Sequence, residues 1–267
     1  MGWIARLQDR GPRLTSVKNL FLNPLRRLKY FFLVDASVWI CKLKLKGAVA
    51  SGPFAGLRYT YDHVEGKPMA KMLGTYEMEL HPSLFEISKR HFDLLINVGA
   101  AEGYYAVGAC KFWNIEKAIA FESLKEGQEL IEMVARQNNV ANKIAVYGTC
   151  TASTLERSIE QDKLTLLIMD IEGAEIEVLD SKIIPKLANS FIILETHDFI
   201  KPGCAFEIIR RFEGSHNIHI IKSRQRICND FPFPLRLSCK AKLWMMDERR
   251  PCEMQWLIMI PHSSQVN

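Results

Sequence analysis

The chain has 267 residues, of which 48% are hydrophobic and 24% charged, and its net charge is +5. These values exclude a disordered or fibrous protein and fit one large domain with an appended segment. Residues 1–50 hold ten Lys/Arg and two Asp, a net charge of +8, which leaves −3 for the rest of the chain. The basic character belongs to an N-terminal arm, so nucleic-acid binding by the whole fold is not predicted.

The cysteines and the longest apolar run bear on the compartment. The seven cysteines show no CxxC or Cys/His ligand spacing, which predicts neither a disulfide scaffold nor a zinc module and favours the reducing cytoplasm. The apolar run Tyr30–Cys41 is interrupted by Asp35 and is shorter than the roughly twenty residues of a membrane span. Two interpretations of residues 1–46 stay open: peripheral contact with an anionic membrane or a partner, or a helix packed on the main domain.

The first elements in chain order form an extension and a linker. The stretch from Gly47 to Pro68 is rich in glycine and proline, which is typical of loops and turns. We therefore predict an N-terminal helical extension and linker over residues 1–73. The main domain is predicted over residues 74–267, and its first element is a helical pattern over residues 76–90.

Short apolar runs then alternate with helical patterns. Five runs are predicted strands, each followed by glycine or a polar residue: Leu94–Val98, Ala118–Phe121, Ile144–Tyr147, Leu164–Met169 and Phe191–Leu194. Such runs are typical of strands buried on both faces, so we predict a doubly wound, mostly parallel α/β sheet. Residues 217–222 and 254–260 are predicted to close it as an antiparallel pair. Residues 225–253 contain three prolines, which oppose a regular helix and predict an inserted loop, a candidate lid.

The ends of these strands carry the residues that indicate function, because ligands of such sheets bind beyond the carboxyl ends. The loop from Gly99 to Gly103 follows the first strand and opens a helix, which lets the backbone approach a ligand. Glu122 follows the second strand, where a carboxylate can accept hydrogen bonds from both ribose hydroxyls. The dinucleotide pattern GxGxxG fails at Ala101 and Tyr104, and GxxxxGK[ST] is absent. The combination favours S-adenosylmethionine (SAM) as cofactor.

Four stretches resemble FkbM-type SAM-dependent methyltransferases over about residues 74–222: DLLINVGAAEGYYAVGA, AIAFES, LLIMDIEGAEIEVL and FIILETHD. The resemblance implies a class I methyltransferase fold, with seven strands of which the last is antiparallel. It also implies O-methylation of a hydroxyl on a small-molecule, sugar or natural-product acceptor. Together with the strand ends, it predicts cofactor contacts from Asn97, Gly99, Ala101, Gly103, Glu122, Gly148, Thr149 and Asp170. The chain departs from the pattern at Asn97, where an acid is usual, and at Ala101, where many methyltransferases have glycine.

A hydroxyl acceptor must lose a proton, so a base is expected near it. Glu195 and His197 are two residues apart at a strand end and share a side, and Asp170 ends the neighbouring strand. We predict His197 as the catalytic base, oriented by Asp170 or Glu195. Two alternatives stay open: His197 supports the loop by hydrogen bonds only, or these residues, with Glu172 nearby, bind Mg²⁺ or Mn²⁺, which we do not favour.

Two functions of different kinds fit these observations. The first is an enzyme, a SAM-dependent O-methyltransferase of a small-molecule or glycan-like acceptor. The second is a methyltransferase-fold protein that binds without catalysis, docked on a membrane or partner through the basic arm. Asn97 favours the second. The first is favoured by five residues that the chain retains: Glu122, Asp170, Glu172, Glu195 and His197. An RNA methyltransferase would need a basic groove, which the negative balance beyond residue 50 opposes.

Overall fold

The computed structural model describes residues 35–64 and 68–265. Its strands are β1 (His91–Val98), β2 (Asn114–Phe121), β3 (Ile144–Tyr147), β4 (Thr165–Met169), β5 (Phe191–Thr196), β6 (His216–Lys222) and β7 (Gln255–Pro261). They form one seven-stranded sheet in the order β3-β2-β1-β4-β5-β7-β6. β3, β2, β1, β4 and β5 pair in parallel, and β7 is antiparallel to both β5 and β6. The predicted α/β sheet with an antiparallel last strand is confirmed.

The burial of each strand follows from its place in the sheet. β4 and β5 are buried over their whole length, because elements on both faces cover them, and this explains their unbroken apolar runs. β3 lies at the sheet edge and alternates between half-buried and exposed residues. Leu95 of β1 belongs to the apolar core on one face, and its neighbour Ile96 belongs to the core on the other.

Helices flank the sheet on both faces. The described α-helices are α1 (Ala36–Leu45), α2 (Pro68–Leu73), α3 (His81–Ile87), α4 (Tyr104–Phe112), α5 (Lys125–Gln137), α6 (Ala152–Ser158), α7 (Glu175–Val178), α8 (Ile184–Leu187), α9 (Cys204–Phe212) and α10 (Cys239–Met246). Thr151 caps α6, because its Oγ1 accepts a hydrogen bond from Thr154 N at 3.2 Å. None of the helices in the described part of the chain combines the length and the apolar character that a bilayer crossing requires.

Residues 47–64, in the stretch predicted as loop and turn, are irregular but carry buried side chains. Ala48 and Arg58 form an isolated bridge. Phe54 is fully buried and meets the ring of Tyr104 edge to face, at 5.1 Å between centroids. Asn138, after α5, donates to Arg58 O at 2.7 Å and accepts from Arg58 N at 3.0 Å. This segment therefore shares the main core, and the domain boundary at residue 73 stays a prediction. The arm before residue 35 lies outside the described residues.

The segment from residue 225 to 253 differs from the predicted loop. It contains α10, which begins where Ser238 Oγ accepts a hydrogen bond from Ala241 N at 3.2 Å. The prediction of no regular helix is wrong because the prolines lie outside α10. Cys228 and Cys239 form a disulfide, with Cα atoms 5.5 Å apart. The cysteine spacing predicts no disulfide scaffold. The fold nevertheless brings these two cysteines, which are eleven positions apart, close enough to form a single bridge.

Candidate functional site

The loop from Gly99 to Gly103 follows β1, and backbone contacts set its conformation. Gly99 has φ +78°, and a Cβ there would lie 1.7 Å from the carbonyl oxygen of Asp170. The N–H groups of Gly99 and Ala100 both donate to Phe121 O at 3.0 Å. The loop therefore packs against the ends of both neighbouring strands. Glycine is required at position 99 because the backbone after β4 comes so close. The sequence attributes this glycine to the close approach of a ligand, whereas the structure shows that a backbone contact requires it.

Glu122 follows β2, is buried, and is held in place by backbone donors. Its Oε2 accepts a hydrogen bond from Ala101 N at 2.8 Å, and its Oε1 accepts one from Leu124 N at 2.8 Å. Gly127 of α5 leaves room for it, since a Cβ there would lie 2.7 Å from Glu122 Cγ. A carboxylate has about four lone-pair positions. Glu122 can therefore accept further hydrogen bonds without moving.

A cavity of about 220 Å³ lies between this loop and the ends of β2 and β4. Five of the predicted cofactor residues line it: Gly99, Ala101, Glu122, Thr149 and Asp170. Three others do not: Asn97, Gly103 and Gly148. The lining also includes Cys150 and Glu172, which were not predicted as cofactor contacts. Burial raises the pKa of the Cys150 thiol to about 11, so this side chain is a neutral part of the wall.

Asn97, a predicted cofactor contact, is 2% exposed and has an unsatisfied oxygen. Its Nδ2 donates to Ile168 O at 3.3 Å. Its Oδ1 is buried and makes no hydrogen bond in the part of the chain that the structure describes. An unpaired buried acceptor costs about 1–3 kcal/mol. A ligand that brings a donor to this oxygen would remove that cost.

Asp170, Glu172 and His197 form a group that we call the carboxylate–histidine cluster. His197 Nε2 lies 3.4 Å from Asp170 Oδ1 and 3.5 Å from Glu172 Oε2. Asp170 and Glu172 line the cavity, whereas His197 is 1% exposed and does not. Burial raises the pKa of Asp170 above its ordinary value, although His197 and Arg250 oppose this. The structure thus brings two of the predicted catalytic residues together, Asp170 at the cavity wall and His197 next to it but outside the lining.

Glu175 of α7 holds the other side of the imidazole ring. His197 Nδ1 donates to Glu175 Oε1 at 2.7 Å. Burial lowers the pKa of His197, but the hydrogen bond to Glu175 and the charges of Asp170 and Glu172 outweigh it, so the pKa is raised. The sequence predicts Asp170 or Glu195 as the orienting residue, and the structure gives this place to Glu175. The four-residue helix α7 is too short for periodicity to show which way Glu175 points.

Glu195 belongs to a second group, the acid–arginine cluster (Glu77, Glu195, Glu248 and Arg250). Arg250 donates to Glu195 Oε1 at 2.7 Å and to Glu248 Oε2 at 2.8 Å, and lies 3.4 Å from Glu77 Oε1. Burial, followed by the charges of Asp170 and Glu77, raises the pKa of Glu195 well above its ordinary value. Glu195 is therefore engaged with Arg250. Neither Glu77 nor Arg250 was predicted, because they are 173 positions apart and no local pattern relates them.

Glu102 stands inside the loop but does not line the cavity. Its carboxylate is buried and accepts hydrogen bonds from Lys71 Nζ at 2.7 Å, Tyr59 Oη at 3.1 Å and Val64 N at 2.7 Å. These partners come from α2 and from the segment before it. The loop that borders the cavity is thus tied on its other side to the N-terminal part of the described chain.

Comparison with protein-family models and with curated proteins finds no match. Among solved structures, the chain resembles the precorrin 8w decarboxylase of Methanobacterium thermoautotrophicum, with 13% identity, 68% of this chain and 89% of that chain covered, and a TM-score of 0.46. The chain also resembles an rRNA methylase of Streptococcus thermophilus, with 10% identity, 69% of this chain and 98% of that chain covered, and a TM-score of 0.46. A third similar structure is the TYW2 protein of M. jannaschii, solved with AdoMet. Its identity is 8%, 70% of this chain and 76% of that chain are covered, and the TM-score is 0.41. Identities this low leave the reaction and the substrate of this chain open.

Proposed function

We propose that the chain is a SAM-dependent methyltransferase that acts on a hydroxyl of a small-molecule, sugar or natural-product acceptor. The observation that carries this proposal is Glu122, a buried carboxylate whose free lone-pair positions adjoin a cavity bordered by a glycine-containing loop. A ribose offers two neighbouring hydroxyl donors to such a carboxylate. The site lies beyond the carboxyl ends of parallel strands, where sheets of this kind bind ligands. The sequence resemblance to FkbM-type enzymes supports the same conclusion.

The residues around the cavity fit this cofactor. Glu122 would hold the ribose. Asn97 does not line the cavity, but its Oδ1 lacks a donor among the described residues and is the proposed acceptor of a hydrogen bond from the amino group of the bound cofactor. Gly99 and Ala101 place no large side chain on the wall between them. When bound, the cofactor supplies a methyl group that a positively charged sulfur already activates for transfer.

The carboxylate–histidine cluster is the proposed place of the acceptor hydroxyl, because Asp170 and Glu172 line the same cavity. During transfer the oxygen–carbon bond forms, the carbon–sulfur bond breaks, and its electron pair stays on sulfur. The hydroxyl proton leaves to the cluster, for which His197 is the proposed base. Much of the catalysis would be orientation, since the methyl group needs no further activation.

Substitution of Glu122 tests the cofactor assignment. Two hydrogen bonds to a charged group contribute about 1.5–3 kcal/mol each, so Glu122→Ala should weaken SAM binding about a hundredfold or more, and Glu122→Gln somewhat less. Isothermal calorimetry with SAM and S-adenosylhomocysteine measures this. Glu126→Gln, on the exposed first turn of α5, is the matched control and should bind like the wild type. Unchanged affinity in both folded Glu122 variants would remove the assignment.

A methyl-release assay separates the enzyme from a binding protein. Wild-type protein with SAM and a set of hydroxyl-bearing acceptors should form S-adenosylhomocysteine with at least one of them. The uncharged Asn97 favours the second function, a fold that binds without catalysis. SAM binding without methyl release from any acceptor in the set would support that second function.

A further inference from the structure

We propose that Asp170, Glu172 and His197 bind one divalent cation of the Mn²⁺ type at the wall of the cavity. We also propose that this ion holds two adjacent oxygens of the acceptor. The second part rests on the proposed methyl transfer, and it defines the acceptor class as compounds with neighbouring hydroxyls or a hydroxyl beside a carboxylate. The first part stands on the geometry of these residues alone.

The distances within the cluster suit a shared ion better than hydrogen bonds. His197 Nε2 lies 3.4 Å from Asp170 Oδ1 and 3.5 Å from Glu172 Oε2, whereas N–H···O bonds are most often about 2.9–3.0 Å long. Ligand bonds of about 2.0–2.2 Å, at right or tetrahedral angles, place neighbouring ligand atoms about 3.0–3.5 Å apart. One ligand atom from each residue lies within 4.8 Å of the others.

The imidazole ring of His197 is oriented as a metal ligand would be. It is buried, and its Nδ1 donates to Glu175 Oε1 at 2.7 Å. A carboxylate on one ring nitrogen fixes the proton there and leaves the lone pair of the other nitrogen for a metal. Nε2 makes no hydrogen bond within the described ranges; the atoms it faces are the oxygens of Asp170 and Glu172. Asp170 Oδ1 is itself buried and unpartnered among these residues.

The charge of the cluster also calls for a cation. Three carboxylates, from Asp170, Glu172 and Glu175, lie within 3.5 Å of the single ring of His197. Over residues 35–64 and 68–265, no lysine or arginine forms an ion pair with any of these three carboxylates. Glu175 is buried, whereas the side chains of Asp170 and Glu172 are 35% and 58% exposed, and a protonated His197 is the positive group that all three share. Like charges this close together still repel one another, and a bound divalent ion offsets that repulsion.

The position of the ion defines what it could do. Asp170 and Glu172 line the cavity, so an ion between them faces the space proposed for the acceptor. Three protein ligands leave open positions on an ion that takes six, which adjacent acceptor oxygens can occupy. A hydroxyl on the ion is more acidic than a free one. With the ion bound, His197 is a ligand and the proton leaves to solvent, so the role of His197 changes from base to ligand.

Mn²⁺ binding to the full chain, without SAM or acceptor, tests the site. Titration followed by electron paramagnetic resonance should show one Mn²⁺ bound per chain. Asp170→Asn and Glu172→Gln should each weaken binding at least tenfold, because each removes a charged ligand. The Glu172 side chain is 58% exposed, so Glu172→Gln is expected to keep the fold, which circular dichroism verifies.

His91→Ala is the matched control. His91, Asp93 and Glu116 form a similar group at the surface, where the side chain of His91 is 43% exposed. This variant should bind Mn²⁺ like the wild type. No Mn²⁺ binding by the wild type, wild-type affinity in folded Glu172→Gln, or loss of affinity in His91→Ala alone would each overturn the proposed site.

Parallel calorimetry with SAM keeps this inference separate from the proposed function. Mn²⁺ binding without SAM binding would support the ion site and reject the methyltransferase. SAM binding without Mn²⁺ binding would reject the ion alone. For the acceptor class, Mn²⁺ should raise methyl transfer to an adjacent diol at least tenfold and leave transfer to a simple alcohol unchanged. An equal effect on both acceptors would overturn the acceptor assignment.

Discussion

Glu77 is a carboxyl group with an unusual environment, 2% exposed and on a backbone with φ 48°. The hydroxyl of Tyr105 donates a hydrogen bond to it, and Arg250 lies 3.4 Å away. Burial outweighs these partners and raises the pKa of Glu77 to about 7. Asp170 and Glu248 raise the pKa of Glu77 further, because their negative charges disfavour ionisation of a third carboxyl group nearby. The folded protein therefore retains a proton that the unfolded chain releases at lower pH.

This raised pKa predicts a pH dependence of stability. The folded state holds the proton more tightly than the unfolded state. The contribution of Glu77 to the free energy of unfolding is therefore complete below about pH 4.5 and is lost as the pH rises through about 7. The difference in free energy of unfolding, wild type minus Glu77→Gln, should fall between pH 5 and pH 7. Urea unfolding across that range measures it. For Glu79→Gln the difference should be flat, because the pKa of Glu79 is lowered and its contribution changes only at lower pH. A flat difference for Glu77→Gln would contradict the assigned shift.

The sequence predicts the position of a single site residue where that residue directly follows a regular element. Asp170 and Glu122 directly follow strands, and the carboxyl ends of parallel strands meet at one edge, so their presence at the cavity could be predicted. Glu175 and Arg250 lie on short or irregular segments whose direction depends on the whole fold. The structure alone relates them to His197 and Glu195. The catalytic roles of His197 and Glu195 stay predictions.

The helix α10 and the disulfide before it form one element in a segment predicted as a loop. Cys239 is the first residue of α10, and Cys228 begins a short 3₁₀ turn. Met245 and Met246 at the other end of the helix are fully buried. The disulfide thus fixes the start of a helix whose end is anchored in the core.

Removal of this disulfide should destabilise the protein. Closing a loop between cysteines eleven positions apart lowers the entropy of the unfolded chain, worth about 2–3 kcal/mol. Cys228→Ser with Cys239→Ser should lower the free energy of unfolding by that amount, measured with urea. Addition of a reductant to the wild type should have the same effect, and Cys252→Ser, at an exposed free cysteine, should have none. A wild type that does not respond to reductant would show that the bridge does not contribute.

Elements could be predicted from the sequence where neighbouring residues carry a clear local signal. β3 has the predicted bounds, because a continuous apolar run is a local signal. α10 was missed, since Pro232, Pro234 and Pro251 dominate the composition around it. The buried side chains of residues 47–64 were missed because an irregular segment has no period that reveals its inner face.

At the scale of the whole molecule, the apolar core on one face of the sheet includes residues far apart in the chain. Cys41 of α1, Phe54, Tyr104 of α4 and Trp256 of β7 belong to it. Phe54 also contacts Trp113, with ring centroids 5.3 Å apart. A Cβ on Gly108 would lie 2.6 Å from the Phe54 ring, so α4 is shaped around this side chain. The described residues before position 73 that belong to this core, among them Cys41 and Phe54, therefore pack directly against the sheet and α4.

The variant Phe54→Ala tests whether residues 47–64 and the sheet unfold together. Truncation of a buried phenylalanine costs about 3–5 kcal/mol, so the variant should unfold at clearly lower urea concentration. Fluorescence and circular dichroism should still report a single transition. Phe206→Ala, at a side chain that is 73% exposed, should change stability by no more than about 0.5 kcal/mol. A separate early transition in Phe54→Ala, with the sheet intact, would support an independent N-terminal extension.

The contact between Gly99 and the carbonyl of Asp170 has a mechanical consequence. The two loops meet there chiefly through main-chain atoms, and the side chain of Ile171 also lies beside Gly99. A displacement of the loop beside Glu122 would therefore push directly on the backbone of Asp170, whose residue lines the same cavity. A ligand bound against one loop would influence the other without a hinge, a gate or a moving domain.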